Sequence, residues 1–203
     1  MSYPPTRHAE TDEARIFDAI DAIVQGTLIV REGRDGNDKL HFSYVPFLLD
    51  RDARKLIGHI AKVNPQHELM DGEMVDVVFH GPHAYISPAL FDNKKVPTWN
   101  YVNVEVRGRA LVMHERDEKL AIIRTLTEKM EGDAQPYFDA DAERIERLVN
   151  AIVGFSIDIE SLTGRFKLGR NDEMPVQQKA FDVLESSTPP ELRDWLESLR
   201  PAD

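Results

Sequence analysis

Ile16, Phe17, Ile20, Ile23 and Val24 recur at three- and four-residue intervals. That period predicts an amphipathic helix, with Asp12 and Glu13 near its start and Gly26 at its end. The period then shortens. Thr27 to Arg31 is rich in β-formers, Arg34-Asp35-Gly36-Asn37-Asp38 has hairpin-turn composition, and Lys39 to Leu49 reads as the partner strand. Pro46 marks that strand as an edge or a bulge. Arg54 to Ile60 and Met74 to Phe79 read as further strands. In the latter Val75, Val77 and Phe79 alternate with Met74, Asp76 and Val78. Gly81-Pro82 signals a turn before Ala84 to Ser87. Asn100 to His114 reads as a long strand pair, with Gly108 bending or bulging it.

Helical spacing returns at Asp117 to Glu131, where Leu120, Ile123, Leu126 and Met130 form the stripe, and at Asp141 to Ile152, through Ile145, Leu148, Val149 and Ile152. Gly154 is read as the helix breaker, Phe155, Ile157 and Ile159 as a last strand, and Gly164 as the turn after it. Pro189-Pro190 opens a final helix that carries Leu192, Trp195, Leu196 and Leu199. Strands framed by helices predict an α+β domain with an antiparallel sheet, and this many strands in one chain favour closure into a barrel.

Composition narrows the function. In 203 residues there is no cysteine, so disulfides, thiolate nucleophiles and Cys-ligated metals are excluded. The formal net charge of −11 opposes binding of nucleic acid or anionic lipid through a general basic surface. No apolar run approaches a membrane span, and Met1 to Thr6 lacks the apolar segment of a signal peptide, so a cytoplasmic location is expected. Glycine-loop, Walker, H-E-x-x-H and nucleophile-elbow patterns are missing. His80 and His83 are the one close histidine pair, and no metal site is expected.

Four segments concentrate polar, aromatic and turn residues. Gly58-His59-Ile60-Ala61-Lys62-Val63-Asn64-Pro65 follows a strand; a lysine with backbone N–H groups there suits a phosphate, while on spacing alone a plain connection is the favoured reading. Gly81 to Pro88 places Tyr85 and Ser87 on one face of a strand, or is no more than a strand between prolines. Lys94 to Tyr101 gathers Thr98, Trp99, Asn100 and Tyr101, which suits a planar ligand and equally a core tryptophan. Arg165, Lys167 and Arg170 form a basic cluster in a very acidic chain, fit for an anion or for surface ion pairs.

Taken in order, these segments resemble the PaiB family, the FMN-binding, negative-regulator-like proteins of bacteria. The matching residues are Pro46-Phe47-Leu48-Leu49, His59 with Ala61 and Asn64-Pro65, Phe79 with Gly81-Pro82 and Tyr85-Ile86-Ser87-Pro88, Val96 to Tyr101, Ile152 to Phe155, and Lys167-Leu168 with Asn171. The likeness runs from Tyr3-x-Pro5 to about Asn171. Leu90-Phe91, Gly169-Arg170 and Tyr44-Val45 depart from the family's pattern. The resemblance implies a split β-barrel of the pyridoxamine-phosphate-oxidase type at residues 1–172, with flanking helices and a helical C-terminal extension at 173–203. It implies a homodimer with FMN at the subunit interface, the phosphate lying near His59 and Lys62. The cofactor-binding residues expected are His59, Ala61, Lys62, Asn64, Tyr85, Ser87, Thr98, Trp99, Asn100, Tyr101, Lys167 and Arg170. No catalytic residue is assigned.

Three functions follow from the resemblance: a flavin-binding protein with a regulatory role, an FMN-dependent oxidoreductase acting on a small molecule, and a haem-binding split barrel in which a histidine is the axial ligand. Without a helix-turn-helix, and with this charge, a regulatory role is expected to act other than by direct DNA binding.

Overall fold

The computed structural model describes residues 6–33, 39–132, 138 and 142–201. Tyr3, Pro5, the turn from Arg34 to Asp38 and Asp141 lie outside the described residues.

The described chain forms β1 (Ala9–Glu10), α1 (Glu13–Ile23), β2 (Gln25–Glu32), β3 (Lys39–Pro46), β4 (Leu48–Asp50), β5 (Lys55–Ala61), α2 (Gln66–Met70), β6 (Met74–Ile86), β7 (Thr98–Met113), α3 (Arg116–Glu131), α4 (Ala142–Ala151), β8 (Ile152–Lys167), α5 (Met174–Ser186) and α6 (Pro190–Glu197). Eight strands make one antiparallel sheet in the order β3-β2-β6-β7-β8-β5-β4, and β1 pairs with β8.

Several punctuation residues act differently from their sequence reading. The first helix stops at Ile23, and Val24 takes the left-handed turn with φ of 60°; Gly26 sits inside β2 opposite Val45. The carbonyl of Val24 accepts the Phe47 N–H at 2.9 Å, which ties the helix exit to the break between β3 and β4. Pro46 ends β3, which stands at the end of the strand order, and Phe47 is fully buried beyond it.

Gly81, Gly154 and Gly164 are not turn or break points but lie within strands, and Asn100 to His114 is one strand and not a pair. The close approach of neighbouring atoms explains the glycines. A Cβ on Gly81 would sit 2.7 Å from the Val102 carbonyl oxygen. On Gly164 it would meet Ile16 at 2.8 Å and the Glu10 Cβ at 2.9 Å. Absence of a side chain, and not turn geometry, is what these positions require.

By contact density the chain clusters into two units, and β6, β7 and β8 pass from one to the other. The first contains Met1–Ile23, Phe79–Glu105 and Leu162–Asp203. Its interior holds Phe17, Ile20, Phe166, Phe181, Leu184 and Leu196, and α6 packs on α1. Each such side chain contributes about 1.5–3 kcal/mol by leaving water. The second unit contains Val24–Val78 and Val106–Ser161. Leu28, Val30, Leu56, Val75, Val77 and Ile157 are buried there, and the Phe47 and Phe155 rings meet edge to face at 6.0 Å. Beside α3 and α4 a satellite cluster of Phe138, Ile145 and Val149 is covered by Leu120 and Ile123. Ile122, outside the expected stripe, is the buried residue of α3, whereas Met130 is exposed.

An apolar face of β3 lacks cover among the described residues. Leu40, Phe42 and Tyr44 alternate along β3 and are 47%, 56% and 74% exposed. Ile29 of β2 is paired with Phe42 and shares that face. Large apolar side chains in a row on an edge strand are uncommon on a monomer's surface.

Candidate flavin site

In the second unit the candidate site begins at the end of β5. His59 is paired with Gly154 and Ala61 with Ile152 across β8. Beyond Ala61 the chain turns sharply: the Lys62 N–H donates to the Ala151 carbonyl at 2.8 Å and the Asn64 N–H to the Ala61 carbonyl at 2.8 Å. Those two backbone donors are therefore committed. Asn64 is committed too. Its Oδ1 accepts from the Gln66 N–H at 3.0 Å, and its Nδ2 donates to Ser43 Oγ at 2.8 Å and to Gln66 Oε1 at 3.3 Å. Ser43 Oγ also donates to Gln66 Oε1. Asn64 thus holds the loop in shape, as Asn before Pro commonly does.

Two groups at this strand end stay uncommitted among the described residues. His59 Nδ1 is buried without a hydrogen-bond partner. Burial also lowers the imidazole's pKa below its ordinary value, so it is neutral near pH 7. The Lys62 side chain is exposed, with its carbonyl receiving His67 Nε2 at 3.0 Å.

The remaining candidates lie in the first unit, where strand alternation divides them. On β7, Thr98 and Asn100 point into a cavity of about 390 Å³, and Trp99 and Tyr101 point the other way. Trp99 is half exposed, with ring centroids 6.0 Å from both Tyr85 and His83. The four residues read together from the sequence therefore serve two faces. Ser87 caps the 3-10 turn Pro88–Phe91 by accepting the Ala89 N–H at 3.2 Å.

Lys167 and Arg170 both line the cavity. Lys167 Nζ donates to Thr98 Oγ1 at 2.6 Å. Arg170 donates to buried Glu10 at 2.7 Å, and Arg15 lies 3.6 Å from the same carboxylate. Burial pushes the Glu10 carboxyl up, but the Arg170 hydrogen bond, the Asp12 N–H and the charges of Arg170 and Arg15 outweigh it and hold the pKa below the ordinary value. Arg7, His8, Lys95 and Asp172, which carried no assigned role in the sequence reading, also line the cavity, and Lys95 pairs with Asp172 at 2.6 Å. The cavity is drawn together by tertiary contacts such as Lys95 to Asp172 and Arg170 to Glu10, 77 and 160 positions apart, which leave no local signal.

Matching of the sequence to family models finds the family described as "Putative FMN-binding domain" over residues 2–161. The chain belongs to this FMN-binding family. Membership gives FMN as the cofactor. Among curated proteins, the chain is 27% identical over 200 residues to the protease synthase and sporulation protein PAI 2 of Bacillus subtilis, covering 96% of this chain and 95% of that one. Among solved structures it is similar to the flavocytochrome Anf3 of Azotobacter vinelandii, with a TM-score of 0.62 and 14% identity over 80% of this chain and 71% of that one. The FAD- and haem-binding protein of Mycobacterium smegmatis matches with a TM-score of 0.61 and 17% identity over 80% and 74%. The fold is thus the antiparallel split β-barrel with flanking helices.

Each unit by itself holds groups that fit part of a flavin mononucleotide. The orphaned His59 Nδ1 and the exposed Lys62 suit a phosphate. The half-exposed Trp99 and Tyr85 offer ring surfaces to a planar heterocycle. Among the described residues no group of three or more His, Asp or Glu could hold a metal ion, and no helix is long and apolar enough to cross a membrane.

Proposed function

We propose that this is a PaiB-type flavoprotein that works as a cytoplasmic homodimer and exerts a regulatory effect without reading DNA directly. The observation that carries the flavin assignment is the pair of uncommitted groups where β5 ends. His59 Nδ1 has no partner, and the Lys62 ammonium has none among the described residues. A buried polar atom left unpaired costs about 1–3 kcal/mol, which a ligand can recover. Lys62 supplies the charge for the FMN phosphate, His59 a neutral hydrogen-bonding group, and Asn64 the loop shape. Of the three cations considered for the phosphate, Arg170 is engaged by the Glu10 carboxylate, and Lys62 shares its strand end with the unpartnered His59 Nδ1, which favours Lys62. In the first unit, Tyr85, Trp99 and Tyr101 offer ring faces suited to an isoalloxazine ring.

Bound FMN supplies hydride and single-electron chemistry, and the chain's residues bind and orient it. The exposed Leu40, Phe42 and Tyr44 support the dimer, since a second copy would remove this face from water. The similarity to a protein named for protease synthesis and sporulation supports a regulatory role. The net charge of −11, with Glu191, Asp194 and Glu197 exposed on α6, supports an effect exerted other than on the duplex.

The test is an ultraviolet–visible spectrum of the purified protein followed by FMN titration. Blue-region flavin bands are expected. Lys62→Ala should weaken FMN binding by about 1.5–3 kcal/mol, the loss of one charge-assisted hydrogen bond. A Soret band in place of flavin bands would favour the haem alternative, and unchanged FMN affinity in Lys62→Ala would remove the phosphate assignment.

A further inference from the structure

The cavity beneath β7 is chemically unlike the aromatic face on the strand's other side. Its cations are Arg7, Lys95, Lys167 and Arg170, in a chain whose net charge is −11. Asp172, its one carboxylate, is taken by Lys95, and Arg170 is taken by Glu10. Arg7 and Lys167 remain, and Arg7 Nε is turned to His8 Nε2. An ammonium has three donors, and among the described residues that of Lys167 meets a single acceptor, the neutral Thr98 hydroxyl.

His8 adds a second donor. Arg7 Nε donates to its Nε2 at 3.1 Å, which leaves the proton on Nδ1, and among the described residues Nδ1 is buried without a side-chain partner. Burial, with the charges of Arg7 and Lys167, keeps this imidazole neutral, although the Arg7 carbonyl pulls the other way. The donors left on Lys167 and His8 suit a ligand that brings acceptor oxygens. The rest of the wall combines the amides of Asn100 and Asn171 with an apolar part formed by Ile86, Phe91, Val96 and Val176.

The alternation of β6 and β7 separates this cavity from the aromatic surface. Ile86 and Thr98 line the cavity, whereas the rings of their neighbours Tyr85 and Trp99 meet edge to face outside it. A ring lying on Trp99 and Tyr85 cannot also place its phosphate on Lys167, because the strands stand between. We propose that the cavity binds a second ligand, a small organic anion whose carboxylate or phosphate is held by Lys167 and His8 and whose apolar body rests on Phe91 and Val176. The claim that this ligand is not FMN rests on the placement of the flavin ring at Trp99.

The experiment is isothermal titration calorimetry of the FMN-saturated protein in chloride buffer, with benzoate and with phenyl phosphate as separate probes, repeated at raised sodium chloride. Saturable binding of at least one probe, one per chain, is expected. Lys167→Met should weaken it by about tenfold or more, the loss expected for a charge-assisted hydrogen bond. In the unmodified protein, saturating probe should leave the FMN dissociation constant unchanged, a measurement that needs no variant. Absence of saturable heat with both probes would overturn the inference. So would competition between probe and FMN, or loss of FMN binding in Lys167→Met; either would assign the cavity to the flavin itself and leave flavin binding intact. Failure of the protein to bind FMN, with probe binding retained, would instead overturn the flavin assignment alone.

Discussion

Glu10→Gln isolates the charge that ties the N-terminal strand to the end of the cavity. Glutamine keeps the carbonyl oxygen that accepts the Thr11 and Asp12 N–H groups, at 3.1 and 3.2 Å in the parent. It loses the charge facing Arg170 at 2.7 Å and Arg15 at 3.6 Å. The Glu10 side chain is 6% exposed and that of Arg170 35%, so the pair is only partly shielded from water. Removing one partner of a fully buried pair costs about 3–5 kcal/mol, and one charge-assisted hydrogen bond is worth about 1.5–3 kcal/mol. The open side of Arg170 places this case near the lower figure, at about 2 kcal/mol. For a chain of this size that is about 4–8 °C in Tm.

The pH dependence has a definite sign. The folded pKa of Glu10 lies below its ordinary value of 4.5, so its contribution is fully present above that value. It is lost as pH falls through the lower, folded pKa, because the native carboxylate must then be protonated. Differential scanning calorimetry of both proteins at pH 7, and of urea unfolding from pH 7 down to pH 3, should show a gap that narrows with acid. A gap below about 0.5 kcal/mol at pH 7, or one that does not narrow, would refute the electrostatic account of this contact.

Other outcomes follow from particular contacts. Val24→Gly should raise stability by about 1 kcal/mol in urea denaturation, because a β-branched residue is strained at φ of 60° and glycine is not, less the unfolded-state entropy glycine adds. Sedimentation equilibrium should give a dimer mass at micromolar concentration, and Phe42→Asp should shift it toward monomer by placing a charge on the exposed face of β3; a monomeric parent would remove the dimer. Binding to a pool of genomic duplex fragments at physiological salt should retain no discrete fragment; salt-sensitive retention at nanomolar protein would show that a local basic patch outweighs the net charge.

Along the sequence, the elements that announced themselves were those whose signal is local. The alternation of Val102, Val104 and Val106 and the three- and four-residue spacing from Ile16 to Ile23 each report one element's buried side, and both elements form where the period places them. The ordered motifs around His59, Tyr85, Trp99 and Lys167 sufficed for the family. Punctuation was less legible. Glycine marks a turn, a helix end or a place where another backbone comes close, and only the distance from Gly81 to the Val102 carbonyl distinguishes the last from the first. Likewise Gly26 was the natural helix stop by composition, but the pull of the Phe47 N–H on the Val24 carbonyl placed the left-handed residue two positions earlier.

The site divides in the same way. Sequence alone determined which residue types were gathered, an aromatic-amide segment and a basic cluster in an acidic chain. Only the tertiary structure decided that Thr98 and Asn100 face a cavity while Trp99 and Tyr85 form a surface beyond it, that Asn64 is spent on its own loop, and that Arg170 is neutralised by Glu10, 160 residues away. The physical reason is that a side chain's chemistry is a property of the residue, whereas its unused donors and acceptors depend on partners brought in from distant parts of the chain.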